Sequence, residues 1–219
     1  MTNWDAVETA ATATRRLNNA LTGWRASDET LTTAAEVINN IAERIEAGTP
    51  RVKLDDMMTR PHLARIYAGQ HTPLDLDDGD EIEFDPFSVA GGAFHPSSVG
   101  VRFHRESADS VIGTVAITPM FAGPPERVHG GIQSLIVDEV MGALNRMLGR
   151  QAFTARLTVN LRAPAPLDVE LRFRAWVDNV DGRKITIRCT GESPDGMFLE
   201  SDGLFIARKD EEPGADAKA

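Results

Sequence analysis

Two apolar stripes at helical spacing mark the first 48 residues of the chain. Each recurs at alternating intervals of three and four residues, which places its apolar side chains on one face of a helix. Ser27 is a candidate N-cap for the second helix, and Gly48 followed by Pro50 ends the pattern. We therefore predict a helical hairpin whose stripes are buried against the rest of the protein or against a second copy of it. The stripes are Val7, Ala10, Thr14, Leu17, Leu21 and Trp24, then Leu31, Ala34, Ile38, Ile41 and Ile45.

From about residue 82 the pattern changes to strands, interrupted by one long apolar helix. Alternating apolar and polar positions predict a hairpin over 99–117, followed by a loop and a helix over 131–148. Short turns join the runs after that helix, which indicates an antiparallel sheet. Helices and strands are segregated along the chain, so the predicted class is α+β. The four later strands are predicted at 154–161, 169–177, 184–189 and 197–207.

The chain divides into four predicted parts. The segment between Asp75 and Asp85 holds seven acids and no base, which we interpret as a solvated loop or edge. A calcium loop is rejected because Gly79 falls at the fifth rather than the sixth position. The histidines lack ligand-pair spacing, so no metal site is predicted. The parts are a helical hairpin extension at 1–48, a connecting segment at 49–79, a sheet-and-helix domain at 80–209 and a flexible tail at 210–219.

The predicted central helix is apolar on most sides and carries Asp138 near its middle. So much apolar surface is buried best if a sheet wraps around the helix. Asp138 then lies either on a narrow polar strip with Ser134 and Asn145, or in a partly dry site. Desolvation in such a site favours a general-base role. The helix pattern by itself leaves both interpretations open.

The start of this helix offers a second piece of chemistry, since His129 is followed by Gly130 and Gly131. Adjacent glycines let a ligand approach the backbone closely. The first N–H groups of a helix lack internal partners, so they can bind a developing oxyanion. Asp138 lies about 10 Å further along the axis, so the substrate must lie along the helix or a second subunit must complete the site. An ordinary tight turn is the alternative interpretation of the two glycines.

The residues around this helix resemble the hotdog-fold acyl-CoA thioesterase superfamily, in the branch marked by an HGG…D motif. The resemblance covers roughly residues 80–208 and leaves out the N-terminal hairpin. It implies a long helix wrapped by an antiparallel sheet, and a dimer in which two sheets join into one. The matching segments are Val128–Ile132 with Leu135, Asp138 and Gly142, then Phe121–Pro125, Phe153–Val159 and Arg162–Leu167.

The same resemblance implies catalytic roles for five residues. The backbone N–H of Gly130, together with that of Gly131, would polarise the thioester carbonyl, and His129 would shape the loop. Asp138 would activate water as a general base or attack as a nucleophile. Thr154 would assist the carboxylate or its water. Family members place this site at the dimer interface with groups from both chains, which would ease the distance problem.

Substrate contacts are expected from Ser134 and from Arg156 and Arg162. Residues 151–190 hold seven Arg or Lys against four acids, a local excess of positive charge that CoA phosphates can meet on the outer face of the sheet. Routine solvation of that face is an equally open interpretation. Glu126 departs from the family pattern, in which many relatives carry a small residue, often glycine. An acid there would alter acyl-group selection or repel an anionic substrate.

Charge and cysteine content restrict the partners and the compartment. The chain has 23 Lys and Arg against 33 Asp and Glu, a net charge of −10. We expect no nucleic-acid or membrane partner, because such a chain repels polyanions. The single cysteine, Cys189, shares a strand face with Ile185 and Ile187 and is predicted to be core. Met1–Asp5 has no signal-like pattern, so we expect a cytoplasmic protein.

We predict a homodimer, or a tetramer, that hydrolyses an acyl-CoA to free acid and CoA within fatty acid metabolism and without a cofactor. A noncatalytic acyl-CoA binding or sensing module is the alternative from another class. A hotdog-fold hydratase is a third possibility, but Asp138 has no histidine at the five-residue spacing that those enzymes use.

Overall fold

A computed structural model describes residues 2–67, 72–83 and 85–209. None of the helices in these ranges is long and apolar enough to cross a membrane. The predicted tail at 210–219 lies outside the described residues. In chain order the helices are α1 Trp4–Gly23, α2 Asp28–Glu46, α3 Lys53–Met58, α4 Pro61–Tyr67 and α5 Gly130–Met147, with a 3-10 turn at Pro119–Phe121, and the strands are β1 Arg102–Ser107, β2 Ser110–Ala116, β3 Ala152–Leu161, β4 Glu170–Asp181, β5 Lys184–Ser193 and β6 Gly196–Ala207.

The six strands form one antiparallel sheet in the order β1-β2-β4-β5-β6-β3. The predicted α+β class is therefore confirmed. Strand β5 continues past its predicted end at residue 189, because pairs such as Arg172 with Glu192 extend the ladder through polar residues. Strand β4 continues past its predicted end at residue 177 to the pair of Asp181 with Lys184. This order leaves β3 at one edge of the sheet and β1 at the other.

Helix α5 lies against the sheet and supplies the centre of the core. Val140 and Leu144 are fully buried together with Leu171 and Phe173 of β4. Complete burial of each such side chain stabilises the fold by about 1.5–3 kcal/mol. Cys189 belongs to the same core, where desolvation raises the pKa of its thiol to about 12. It is therefore a packing residue, as predicted.

The N-terminal segment folds into two helices, as the stripes predict. The Ser27 side chain accepts a hydrogen bond from the Thr30 N–H at 3.2 Å, so the predicted N-cap is present. Helix α1 packs on the chain segment before β1, where the Trp4 ring stacks on Phe94 at a centroid distance of 5.1 Å. Arg15 fixes the same segment by donating to the Ala93 carbonyl at 3.0 Å.

The predicted hairpin over 99–117 is present as β1 and β2, but the strand pattern expected from residue 82 is not: residues 85–101 form a series of turns. The connecting segment predicted at 49–79 contains α3 and α4. The acidic segment is also more than a solvated loop, because bases from other parts of the fold pair with its carboxylates. The pairs are Arg105 with Asp78, Arg102 with Glu81, Arg60 with Glu83 and Lys53 with Asp85.

Candidate active site

The first turn of α5 leaves a single backbone donor open. The imidazole Nδ1 of His129 accepts a hydrogen bond from the Gly131 N–H at 2.9 Å and so caps the helix. The N–H groups of Ile132 and Gln133 both donate to the His129 carbonyl, at 3.0 and 3.1 Å. Among the described residues, the Gly130 N–H has no acceptor. It lies at the positive end of the helix dipole, which favours an oxyanion.

This arrangement corrects one predicted role. Gly131 does not present a second donor, because its N–H is already bonded to His129. His129 packs closely against the preceding loop, and its implied role in the site stays a prediction. A Cβ atom at Gly123 would lie 2.9 Å from the His129 Cα, so the glycine at that position lets the loop approach the cap. A Cβ atom at Gly130 would lie 3.0 Å from Leu161 Cδ1, which places the open N–H beside the end of β3.

Asp138 is held by the neighbouring strand. The Thr154 hydroxyl donates to Asp138 Oδ1 at 2.7 Å, and Asp138 is half-buried. A register shift between Thr154 and Arg156 bends β3 at this point. Such bulges redirect side chains next to functional sites. The alternative was a polar strip made by Asp138, Ser134 and Asn145. Asn145 is only 2% exposed, so it does not belong to a solvent-exposed strip.

Gly130, Ser134 and Asp138 recur every four residues and therefore line one side of α5. The Ser134 hydroxyl donates to the Gly130 carbonyl at 3.0 Å, which leaves its oxygen lone pairs as the group it presents to a ligand. Gly130 and Asp138 are about 12 Å apart along the axis. Within one chain the open Gly130 N–H and the Asp138 carboxylate therefore lie at opposite ends of this side of the helix and do not form one catalytic centre.

The loop that precedes the motif carries a strained residue. Pro124 accepts a hydrogen bond from the Arg127 N–H at 3.3 Å, and Glu126 has a φ of 64°. Glu126 is thus the third residue of a turn that glycine fits best. This backbone requirement explains why a glycine suits the position. The Glu126 side chain is exposed, and its effect on acyl selection stays a prediction.

Glu139 is a second carboxyl group on α5 that was not predicted from the sequence; it is half-buried and directly follows Asp138. Burial raises the pKa of Glu139 to about 7, and the charge of Asp138 adds to the rise. A hydrogen bond with the buried Ser88 acts in the opposite direction. Two adjacent acids in an apolar helix were the available signal. Ser88 lies in the 85–101 segment, whose course the pattern did not reveal.

The two arginines expected to meet CoA phosphates already have acidic neighbours. Arg156 lies 3.9 Å from Asp202, and Arg162 donates to Glu200 Oε1 at 2.7 Å. These pairs are exposed, so each contributes little to stability and can exchange partners. The positive excess on this face is therefore largely balanced within the sheet. Phosphate binding by these two residues stays a prediction.

Strand β3 presents a free edge next to the candidate site. Phe153 and Leu161, near its two ends, are 62% and 50% exposed. A ten-residue edge strand with exposed apolar side chains is a template for pairing with another strand. Thr154, which contacts Asp138, lies near the start of that edge. Leu161, which adjoins Gly130, lies at its end.

Comparison with known proteins places this geometry in a class. Residues 126–199 match the family model described as Thioesterase superfamily. A crystal structure of a thioesterase superfamily protein covers 91% of this chain, with 90% of that chain covered, at 29% identity and a TM-score of 0.73. The predicted resemblance to this superfamily and the hotdog fold are thereby confirmed.

Individual relatives point to the same class of enzyme. Acyl-coenzyme A thioesterase THEM4 of Bos taurus is 31% identical over 90 residues, which are 40% of this chain and 37% of that protein. The Xenopus laevis protein of the same name is 34% identical over 90 residues, which are 40% of each. The chain thus spans about two-fifths of the length of the curated relatives it matches. These names support the prediction of a thioesterase enzyme.

Proposed function

We propose that the protein hydrolyses acyl-CoA thioesters as a homodimer. The observation that carries the proposal is the pairing of an unoccupied helix N-terminal donor at Gly130 with a carboxylate, Asp138, that a threonine hydroxyl holds in place. The first group suits the oxygen of a thioester carbonyl, and the second suits the attacking water. The names of the THEM4 relatives support CoA as the leaving group.

The dimer is proposed because one chain does not bring the two groups together. Asp138 is bonded to Thr154 near the start of β3, whereas Gly130 adjoins Leu161 at its end. If the free edges of two β3 strands pair antiparallel about a two-fold axis, the start of one strand lies opposite the end of the other. Asp138 of one subunit then lies towards Gly130 of the partner subunit.

The proposed reaction consumes water and needs no cofactor. Asp138 takes a proton from water, and the hydroxide oxygen forms a bond to the thioester carbonyl carbon. The resulting oxyanion accepts a hydrogen bond from the Gly130 N–H. Collapse breaks the carbon–sulfur bond, and the proton moves from Asp138 to the sulfur, which leaves a carboxylic acid and CoA thiol. Thr154 occupies Oδ1, so Oδ2 is the oxygen that faces water.

A thiol-release screen of the full chain tests the activity. Short, medium, long and aromatic acyl-CoAs are each supplied, and CoA thiol is measured. We expect release from at least one class at a kcat of about 1 s⁻¹ or more. Binding of acyl-CoA without thiol release across the panel would instead support a noncatalytic binding or sensing module.

Subunit mixing tests the shared site. Gly130→Val covers the donor and Asp138→Asn removes the base, so each variant alone is expected to be inactive. A mixed dimer retains one site with both groups intact, because each subunit supplies what the other lacks. Recovery of up to half of the activity per mixed dimer supports a site made by two subunits. Two variants that stay inactive after verified subunit exchange would place both groups in one chain.

A further inference from the structure

The N-terminal hairpin carries large apolar side chains that are not buried within the single chain. Its two stripes alternate by three and four residues, which is the register of the a and d positions of a coiled coil. In α2 this register places Leu31, Ile38 and Ile45 at a, with Ala34 and Ile41 at d. Sequences of this kind form a seam that is covered by other helices. We call this row, together with Leu17 and Leu21 of α1 and Trp24 directly after it, the hairpin seam.

Helix α1 docks on the body of the protein through a different face. Trp4 and Arg15 contact the segment before β1, and Ala11 between them is buried. At 100° per residue, their mean direction lies roughly 120° away from that of Leu17 and Leu21. The docking of α1 therefore does not cover the seam.

The hairpin seam is exposed in the single chain. Helix α2 has no buried residue along its whole length. An isolated helix of this length is marginal in water, and most helices owe their stability to packing of the apolar face. The exposed seam residues and one neighbour are Leu21 at 48%, Trp24 at 74%, Leu31 at 44%, Val37 at 52%, Ile38 at 38%, Ile41 at 49% and Ile45 at 72%.

The two helices enclose an open groove of about 680 Å³. Leu17 lines it from α1, and Ala34, Ile38 and Ile41 line it from α2. The groove therefore adjoins part of the α2 seam and one seam residue of α1, and Glu29, Thr30 and Thr33 contribute polar groups to its lining. A groove between two helices is suited to an amphipathic helix laid into it.

A second copy of the hairpin matches this groove best. The copy presents the same two seams, so two hairpins related by a two-fold axis would bury four seams in one helical bundle. The exposed apolar side chains amount to on the order of 700 Å² per copy, against about 800 Å² per partner in a standard interface. An anionic lipid surface is disfavoured, because Glu29 lines the groove itself and Glu36 and Glu43 lie on α2 opposite the seam.

The solved thioesterase superfamily structure also matches part of the N-terminal hairpin. It covers 91% of the 219 residues, so at most about 20 residues lie outside the match. That is fewer than the 43 residues between Trp4 and Glu46, so the match extends into the hairpin. The hairpin is therefore part of an arrangement shared with another thioesterase superfamily structure.

We propose that the N-terminal hairpin is a self-association element, in which the hairpin seams of two copies pack together into a four-helix bundle. This contact is separate from the β3 edge, and it does not depend on the proposed activity. If both contacts form, the protein is a tetramer built from two β3-paired dimers. If the hairpin contact alone forms, it is a dimer.

Sedimentation of the full chain tests the proposal. The double variant I38E/I41E places two charges in the seam, whereas N39E/N40E adds the same charges on the polar face of α2 as the matched control. We expect the mass of I38E/I41E to fall to half of that of the wild type, while N39E/N40E keeps the wild-type mass. Thiol release by I38E/I41E reports separately on the proposed site, which these positions do not touch.

An Ile41→Cys variant keeps the test decisive if I38E/I41E fails to fold. The introduced thiol is expected to react with a maleimide at least tenfold more slowly than that of an Asn40→Cys variant, because the partner hairpin covers it. Equal reaction rates for the two thiols would overturn the proposal. So would an unchanged mass of a folded I38E/I41E protein. Wild-type chain that sediments as a monomer and floats with phosphatidylglycerol vesicles would assign the face to a lipid surface instead.

Discussion

The Thr154 hydroxyl donates a 2.7 Å hydrogen bond to Asp138 Oδ1, and this contact joins the central helix to the edge strand of the sheet. It fixes the carboxylate rotamer and leaves the second oxygen, Oδ2, available. A bulge in β3 directly after Thr154 turns the side chain towards the helix. The site therefore depends on strand geometry as much as on the helix that carries the acid.

Thr154→Val is expected to lower kcat of thioester hydrolysis about 10- to 100-fold. Valine keeps the volume but removes the hydroxyl, and a hydrogen bond to a charged group is worth about 1.5–3 kcal/mol. Thr154→Ser restores the donor and should stay within a few-fold of the wild type. Thiol-release kinetics and thermal unfolding of both variants check this. Equal kcat for the valine and serine variants would show that the Thr154 hydroxyl does not contribute to catalysis.

Substitutions at Gly130 and Gly123 should distinguish a loss of access to the Gly130 N–H from a loss of stability. Gly130→Ala is expected to fold, since the new methyl meets only the end of the Leu161 side chain, but to lose activity because the methyl crowds the open N–H. Gly123→Ala meets the His129 backbone and should lower the free energy of unfolding by about 1–3 kcal/mol. Denaturant unfolding and kcat measured on both variants test the pair. Full activity in Gly130→Ala would contradict the assigned donor.

His129 is expected to act through the helix cap. His129→Ala removes the acceptor of the Gly131 N–H and should cost about 1 kcal/mol of stability, whereas His129→Asn offers a replacement oxygen and should recover part of it. Chemical denaturation at pH 7.5 measures both. An alanine variant as stable as the wild type would show that the cap has no energetic role.

Glu139 should make stability depend on pH. Its folded pKa of about 7 lies above the ordinary value of 4.5, so the folded state binds the proton more tightly than the unfolded state. Stability conferred by the protonated form is complete below pH 4.5 and is lost as the pH rises through about 7, with a total loss of about 2–3 kcal/mol. Glu139→Gln should remove this loss, while the exposed Glu36→Gln should leave it unchanged. Urea unfolding between pH 5 and 8 measures the slope, and an unchanged slope in Glu139→Gln would refute the assignment.

Periodicity predicted the elements whose apolar residues face one side. Both N-terminal helices and the later strands follow from spacing, whereas α5 follows from a long segment that is apolar on most sides. The segment 85–101 does not, because turns rather than a strand bury its apolar residues. Phe94 packs against Trp4 of α1, and Val99 joins the core that includes Val140. Short helices such as α3 carry too few residues for a periodic signal.

The placement of the predicted site residues followed from the sequence only in part. The sequence indicated His129, Gly130, Asp138 and Thr154 through the motif they form. It did not reveal that the His129 ring occupies the Gly131 N–H, because that depends on one side-chain rotamer. The separation of Gly130 and Asp138 along the helix follows from helical rise and was therefore available from the sequence.

Replacement of Asp138 by asparagine tests the central claim most directly. The variant keeps the shape and the contact with Thr154 but cannot accept the proton of water. With the best acyl-CoA of the screen, we expect kcat to fall by about 10²–10⁴, with the free energy of unfolding unchanged within about 1 kcal/mol. A folded Asp138→Asn protein that releases thiol at a rate within threefold of the wild type would contradict the account.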